Sequence, residues 1–412
     1  MILSNRHLRY KSGPYALLWL AAAALLAAFV AGPMRGASAQ AEMDVMGESV
    51  EVAFGDSLVF TARLILPDEE GAVMLFVQPR EGFQTSSVEL SPGITGRIRH
   101  ELELGSTFFP PFSDVQYWYQ WEGLSGETLV SPTFSFKYED NRFNWRTIES
   151  APIRLHWVEG DLAFARQALD VARESFNAIE EELPFGDNGA ARDWIDVYVY
   201  RTGADLQSAL SLGGENWLAG HADPQLGVLL VSIPPGPEAA LEMERQIPHE
   251  IAHVMLYRHV GPEYKDIPVW LNEGFASLSE LYPNPNYPFL LNSAYEEELL
   301  FSMDDLCRTF PATASDTVLA YAQAASFTNF IHDEYGKSGV NALINEYADG
   351  KSCERGAEAA VGKTLSALER DWRQVAFGED AWKGLIPWLG IFALIFVPLG
   401  ITLFFIRKPP GK

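Results

Sequence analysis

The chain has 412 residues, with 55 Asp and Glu against 30 Lys and Arg, a net charge of -25, 48% hydrophobic residues and two cysteines. This composition excludes a disordered chain, a small disulfide-built scaffold and a nucleic-acid binder that relies on an overall basic surface. The charge is unevenly placed: residues 1–39 and 383–412 hold bases and no acid.

The basic start leads into the apolar run Tyr15 to Val30 and then a small-residue stretch that ends Ala37-Ser38-Ala39 before Gln40. That is the layout of a secretory signal peptide, residues 1–39, with an A-x-A cleavage site. An uncleaved first span is the alternative, and it leaves the rest of the chain on the same side of the membrane.

From residue 40 to 147 apolar residues recur with period two. The runs are Val50, Val52, Phe54; Leu58, Phe60, Ala62, Leu64, Leu66; Ile98, Leu102, Leu104; Val115, Tyr117, Tyr119, Trp121; and Phe134, Phe136, Tyr138. Alternation of this kind marks strands half-buried in antiparallel sheets, with turn residues such as Gly55-Asp56, Pro67-Asp68 and Ser91-Pro92-Gly93 between them. The expectation is an all-β, immunoglobulin-like sandwich without an intersheet disulfide, which spaces or orients the next domain or binds a partner.

The texture changes for residues 148–383. Ile153 to Val158 reads as a strand, Leu162 to Leu183 as a helix, and Trp194 to Tyr200 and Leu226 to Ile233 as strands. From Glu238 the pattern is helical almost to Phe377, with loops at Gly261 to Pro268, Tyr282 to Pro288 and Pro311 to Ser315. Strands followed by helices indicate an α+β domain. Leu385 to Ile406 then runs without a charge, about 33 Å as a helix, which predicts a transmembrane helix over 384–406 and a cytoplasmic tail over 407–412. Arg407 and Lys408 place that tail inside, so the acidic domains face outward on a single-pass cell-membrane protein that meets the lipid bilayer through its C-terminal helix.

His249-Glu250-Ile251-Ala252-His253 is an H-E-x-x-H sequence. On a helix, residues four apart share a face, so two imidazoles reach one Zn²⁺, and the adjacent Glu250 is placed to take a proton from the water that zinc activates. Two residues compete as third ligand. His259 has the spacing of H-E-x-x-H-x-x-G-x-x-H, but Leu256 stands where that pattern turns on Gly, which leaves His259 on a solvated helix end. Glu273 lies far enough beyond His253 for the chain to reverse and return a carboxylate on a second helix.

Around Glu273 the segment Trp270-Leu271-Asn272-Glu273-Gly274-Phe275-Ala276 resembles the gluzincin metallopeptidases, in particular the peptidase MA-like branch related to the zinc aminopeptidases. The resemblance spans roughly residues 150–375 and implies a thermolysin-like catalytic domain with His249, His253 and Glu273 as zinc ligands and Glu250 as catalytic base. It also implies that Glu280, seven residues past the ligand, supports the site, and that Tyr321 of Tyr321-Ala322-Gln323-Ala324-Ala325-Ser326-Phe327 donates to the oxyanion. The zinc aminopeptidases carry a G-x-M-E-N strand whose Glu binds the substrate amine. No such segment occurs here, and the corresponding stretch, Ala219 to Ile233, has no acid on its later strand. Endopeptidase action by strand addition remains open.

Cys307 and Cys353 predict one disulfide, and His100, His156, His221 and His332 lack ligand spacing. Together these features predict a membrane-anchored, extracellular zinc metallopeptidase acting on peptides or proteins and not on nucleic acid. The alternatives are a noncatalytic surface binding protein with a relic peptidase domain, or zinc-dependent hydrolysis of a non-peptide amide.

Overall fold

A computed structural model describes residues 41–79, 84–105, 109–185, 193–211 and 220–378. The predicted signal peptide, transmembrane helix and tail lie outside these residues. Among the described residues, no helix is long and apolar enough to cross a membrane.

The chain forms two compact units. Among the described residues, one gathers those up to Glu51, Ser57–Glu103 and Asp114–Lys137; the other takes Val52–Asp56, Leu104–Ser113 and those from Tyr138 on.

The first unit is β-rich. Its strands are β1 Ala41–Glu42, β2 Val45–Ala53, β3 Ser57–Leu64, β4 Gly71–Gln78, β5 Ser86–Leu90, β6 Arg97–Glu103, β7 Asp114–Gly123, β8 Thr128–Val130 and β9 Phe134–Lys137. One sheet has the order β1-β8-β7-β4-β5, with β9 also on β7; the other is β2-β3-β6. The alternating residues Leu58, Phe60, Ala62 and Leu64 of β3 and Val115, Tyr117, Tyr119 and Trp121 of β7 are all buried. Phe60 meets Tyr117 and Phe136 of the other sheet edge-on, with ring centroids 5.2 and 6.2 Å apart, so the two sheets face each other as a sandwich. Each such buried Leu or Phe contributes about 1.5–3 kcal/mol. Strand β4 escapes the alternation reading because its half-buried outward residues are apolar too: Phe76 stacks on Trp118 across the β4–β7 pair.

The second unit begins with β10 Arg146–Ser150, β11 Ile153–Trp157, helix α1 Leu162–Glu182, β12 Ile195–Tyr200, α2 Gly203–Ser211, β13 Gly220–Asp223 and β14 Val228–Ser232. Helices α3 Ala239–Val260, α4 Val269–Leu278, α5 Tyr287–Glu296, α6 Ala314–Ala348, α7 Cys353–Val361 and α8 Leu365–Phe377 follow, α6 being interrupted at Gly336. The sheet order is β10-β11-β12-β14-β13. β11, β12 and β14 are parallel, and β10 and β13 close the two edges antiparallel. Every residue of β12 and β14 is buried, as expected of strands covered on both faces. Asp161 caps α1 by accepting the Phe164 N–H at 2.9 Å, and Ala165, Ala168, Ala172, Phe176 and Ile179 turn its apolar stripe into the core shared with α3.

Strand β10 pairs with β11 along its whole length. Its entry is pinned by Asp140, fully buried, which accepts from Arg142 Nε at 2.7 Å and from the Tyr200 hydroxyl at 3.0 Å. Phe54 and Phe112 join the unit by stacking on Tyr138 and Tyr198.

A second buried acid supplies a test of the sheet. Asp196 on β12 accepts from Arg154 Nη2 at 2.8 Å and meets His156 Nε2 at 2.9 Å. Burial pushes its carboxyl up, but the hydrogen bonds from His156 and Arg154 outweigh that and hold it below the usual carboxylate range. A folded-state value below the unfolded one stabilises the fold above about pH 4, and that stabilisation is lost as pH falls through the folded value. Asp196→Asn should therefore cost about 1–3 kcal/mol in urea unfolding at pH 7, with the gap from the parent narrowing when the titration is repeated below pH ~4.

Candidate metal centre

Helix α3 carries His249, Glu250 and His253, and ends at Gly261. The two imidazoles stand one turn apart with ring centroids 5.1 Å from each other. Pro248, inside the helix, has no N–H for the Glu244 carbonyl one turn back. That carbonyl instead accepts the backbone N–H groups of Leu281 at 2.9 Å and Tyr282 at 3.3 Å. The proline thus frees an acceptor that ties the chain after α4 to α3, next to Glu280.

Helix α4 buries Trp270, Leu271, Phe275 and Ala276 and turns Asn272 and Glu273 toward α3. Gly274 makes this approach possible: a Cβ there would collide with Thr328 Oγ1 and lie 2.6 Å from the Ala324 carbonyl oxygen of α6.

Glu273 Oε2 lies 3.4 Å from His249 Nε2 and 3.6 Å from His253 Nε2. Donor atoms of these three residues all fall within 4.8 Å of one another. The far ring nitrogens are held as well, His249 Nδ1 by Glu280 Oε1 at 3.0 Å and His253 Nδ1 by Asn272 Oδ1 at 3.0 Å. Outer partners of this kind put the proton on Nδ1 and leave the Nε2 lone pairs to converge. Glu273 Oε2 is buried with no hydrogen-bond partner, which is costly unless something else satisfies it. Two imidazoles and a carboxylate around such an orphaned oxygen fit a zinc ion with one coordination position left open.

These groups shift one another's protonation. Burial works to lower His249, yet the nearby carboxylates of Glu273 and Glu280 raise it to about 10, whereas burial prevails at His253 and depresses it. Burial works to raise Glu273, but the neighbouring His253 and His249 hold it below the usual range. Glu250 is raised to about 7 by burial, opposed by His249 and reinforced by the charges of Glu273 and Glu280.

A cavity of about 460 Å³ opens over these groups. Residues 185–378 match the family model described as the peptidase MA superfamily. Residues 185–378 belong to that superfamily. No curated protein matches the chain. Solved structures resemble it only distantly. A myokine structure is 12% identical, with a TM-score of 0.19, covering 24% of this chain and 99% of that one. A polysaccharide deacetylase from Bacillus cereus is 6% identical, also with a TM-score of 0.19, covering 50% of this chain and 66% of that one. TM-scores this low assign neither fold nor activity.

In the peptidase MA domain, His249, Glu250, His253, Glu273, Glu280 and Tyr321 all line the one cavity. Tyr321 lies inside α6, past its first turn, with its ring 6.4 Å from that of His249. Its phenol is pushed well above the ordinary value, first by burial and then by Glu273 and Glu250, and so stays neutral. His259 is elsewhere: it packs against Phe185 at 5.7 Å, and burial lowers its pKa, so it is half-buried rather than on a solvated helix end. Cys307 and Cys353 form a disulfide, which also closes the cluster they make with Asp304.

Other lining residues escaped the sequence reading. His221 sits on β13, an edge strand among the described residues, and lines the cavity beside Gly220 and Ala222. Its position in the Ala219 to Ile233 stretch was the available signal. Tyr264, Tyr287 and Arg245 line it too, from a 3-10 turn, α5 and α3, and the Tyr287 phenol is pushed up to about 12 by burial and Glu280. No local periodicity announces them.

Gly220 matters for its missing side chain, since a Cβ there would collide with the Glu250 carboxylate. Gly220→Ala should displace that carboxylate and lower kcat/KM about 10–100-fold. Zinc content and thermal midpoint should stay as in the parent; equal activity would show that the close approach is incidental.

Proposed function

We propose that the peptidase MA domain is a zinc-dependent metallopeptidase that hydrolyses peptide bonds. The observation that carries this reading is the convergence of His249, His253 and Glu273 on the orphaned Glu273 Oε2, with Glu250 beside them under an edge strand.

Zinc, when held there, supplies Lewis-acid polarisation and makes water a nucleophile near neutral pH. The protein's own groups do the rest. A substrate backbone can add along β13, whose outer edge meets the cavity, and Gly220 leaves room above Glu250. Glu250 accepts a proton from the attacking water and passes it to the leaving amine, holding it between the two steps. The neutral Tyr321 phenol donates to the developing oxyanion. Glu280 and Asn272 keep the imidazoles oriented. Among the described residues, the acids lining the cavity are Glu250, Glu273 and Glu280, each already committed to the site.

The basic, apolar terminal segments support an outward-facing, membrane-anchored enzyme, and we read its β-rich unit as an immunoglobulin-like sandwich and its catalytic domain as thermolysin-like. The test is to purify the full chain in detergent, measure zinc by elemental analysis, and digest a mixed peptide library with Glu250→Gln as control. One equivalent of zinc with cleavage lost in the variant supports the reading. Zinc without cleavage favours a noncatalytic binding role, and a folded protein without zinc overturns the metal site.

A further inference from the structure

His253 is held by more than Asn272. The 3-10 turn Gly261–Asp266, which follows α3 directly, brings Tyr264 back over the helix. Its hydroxyl lies 2.8 Å from Asn272 Nδ2, 3.1 Å from Asn272 Oδ1 and 3.2 Å from His253 Nδ1. The three side chains therefore close a triangle on the side of the imidazole away from Glu273.

One arrangement of protons satisfies this triangle and leaves the His253 Nε2 lone pair free. Asn272 Nδ2–H donates to the Tyr264 oxygen, the Tyr264 hydroxyl donates to Asn272 Oδ1, and His253 Nδ1–H donates to the same Oδ1. Both amide ends are then engaged. Without the hydroxyl, the Nδ2–H group loses its acceptor and faces an apolar ring edge, and the amide relieves this by swinging away from His253.

We propose that Tyr264 is a positioning residue of the metal centre: it anchors Asn272, and through Asn272 sets the tautomer and ring orientation of His253. This rests on the zinc reading above. In this proton arrangement the hydroxyl makes no bond of its own to His253 Nδ1, 3.2 Å away, because Nδ1–H is spent on Asn272 Oδ1, so its effect reaches the ion through the amide.

Tyr264→Phe tests this, because it keeps the ring that packs edge-on against Tyr257 at 5.9 Å. Zinc dissociation constants of the full chain, measured by competition with a chromogenic chelator, should rise about 10-fold or more, in the range for lost outer partners. The visible absorption of the cobalt-substituted protein should shift as the imidazole reorients, while the metal-free thermal midpoint stays near that of the parent. Asn272→Ala should weaken zinc at least as much, and adding Tyr264→Phe to it should do nothing further. An unchanged dissociation constant and cobalt spectrum in Tyr264→Phe would overturn the inference, and so would an equal loss in the Asn272→Ala background. A parent protein that binds no zinc would instead sink the metal reading itself, which is a distinguishable result.

Discussion

Glu250→Gln should lower kcat/KM on any peptide substrate by at least about 10³-fold while leaving one zinc per chain, the scale of a lost general base. Glu250 is 7% exposed and lies outside the set of three converging donors, so the change removes a proton acceptor without removing a ligand. The amide is nearly isosteric and meets the same open space above Gly220, where no side chain competes with it. It cannot take the proton of the attacking water, nor return one to the leaving amine. The measurement pairs initial rates on a cleaved library peptide with elemental analysis of the same sample. A variant that is zinc-loaded and fully active would strip Glu250 of its role and move the base to another cavity residue, His221 being the first to examine.

Glu273→Ala should act on the other half of the chemistry. It deletes the carboxylate between the two imidazoles, 3.4 and 3.6 Å from their Nε2 atoms. Zinc affinity should fall at least about 10³-fold, beyond the 10–100-fold typical when only an outer partner is lost. Activity should vanish with the metal. Because an ion bound only to the folded state raises stability by mass action, added zinc should lift the thermal midpoint of the parent and not of the variant. The substitution also removes a carboxylate that the two imidazoles hold below its usual range, so the metal-free variant should be somewhat less stable than the metal-free parent at neutral pH. Retained zinc at parental affinity would mean that another group completes the coordination, and the ligand set would have to be rebuilt.

Parts of this site are written in local sequence and parts are not. The pair His249 and His253 is legible because a helix turns about 100° per residue, so a spacing of four is already a statement about a shared face. Glu273 is legible only through the whole segment Trp270 to Ala276, since nothing in periodicity says which later acid returns to the helix. Tyr321 and Glu280 follow from that same likeness, and their distances to His249 were not readable in advance. Asn272 stood inside the quoted segment with no role assigned, although it holds His253 Nδ1. The sandwich shows the same division. Amphipathic strands such as β3 and β7 announce themselves by alternation, whereas β4, whose outward Met74 and Phe76 are apolar as well, does not.

What the sequence determined by itself was the strand-rich then helical order of the chain, the helix bearing two imidazoles and a base, and the candidate partners for a metal. Each depends on residues within a few turns of one another, where backbone geometry alone sets the relation. Only the tertiary structure decided that Glu280 rather than solvent meets His249, that Tyr264 closes on Asn272, and that Gly220 faces Glu250 from an edge strand. These contacts join residues 8 to 31 positions apart across separate elements. Their partners are chosen by how helices and sheet pack, by a carbonyl that Pro248 leaves open and by a gap that Gly274 makes, and no repeat along the chain encodes that choice.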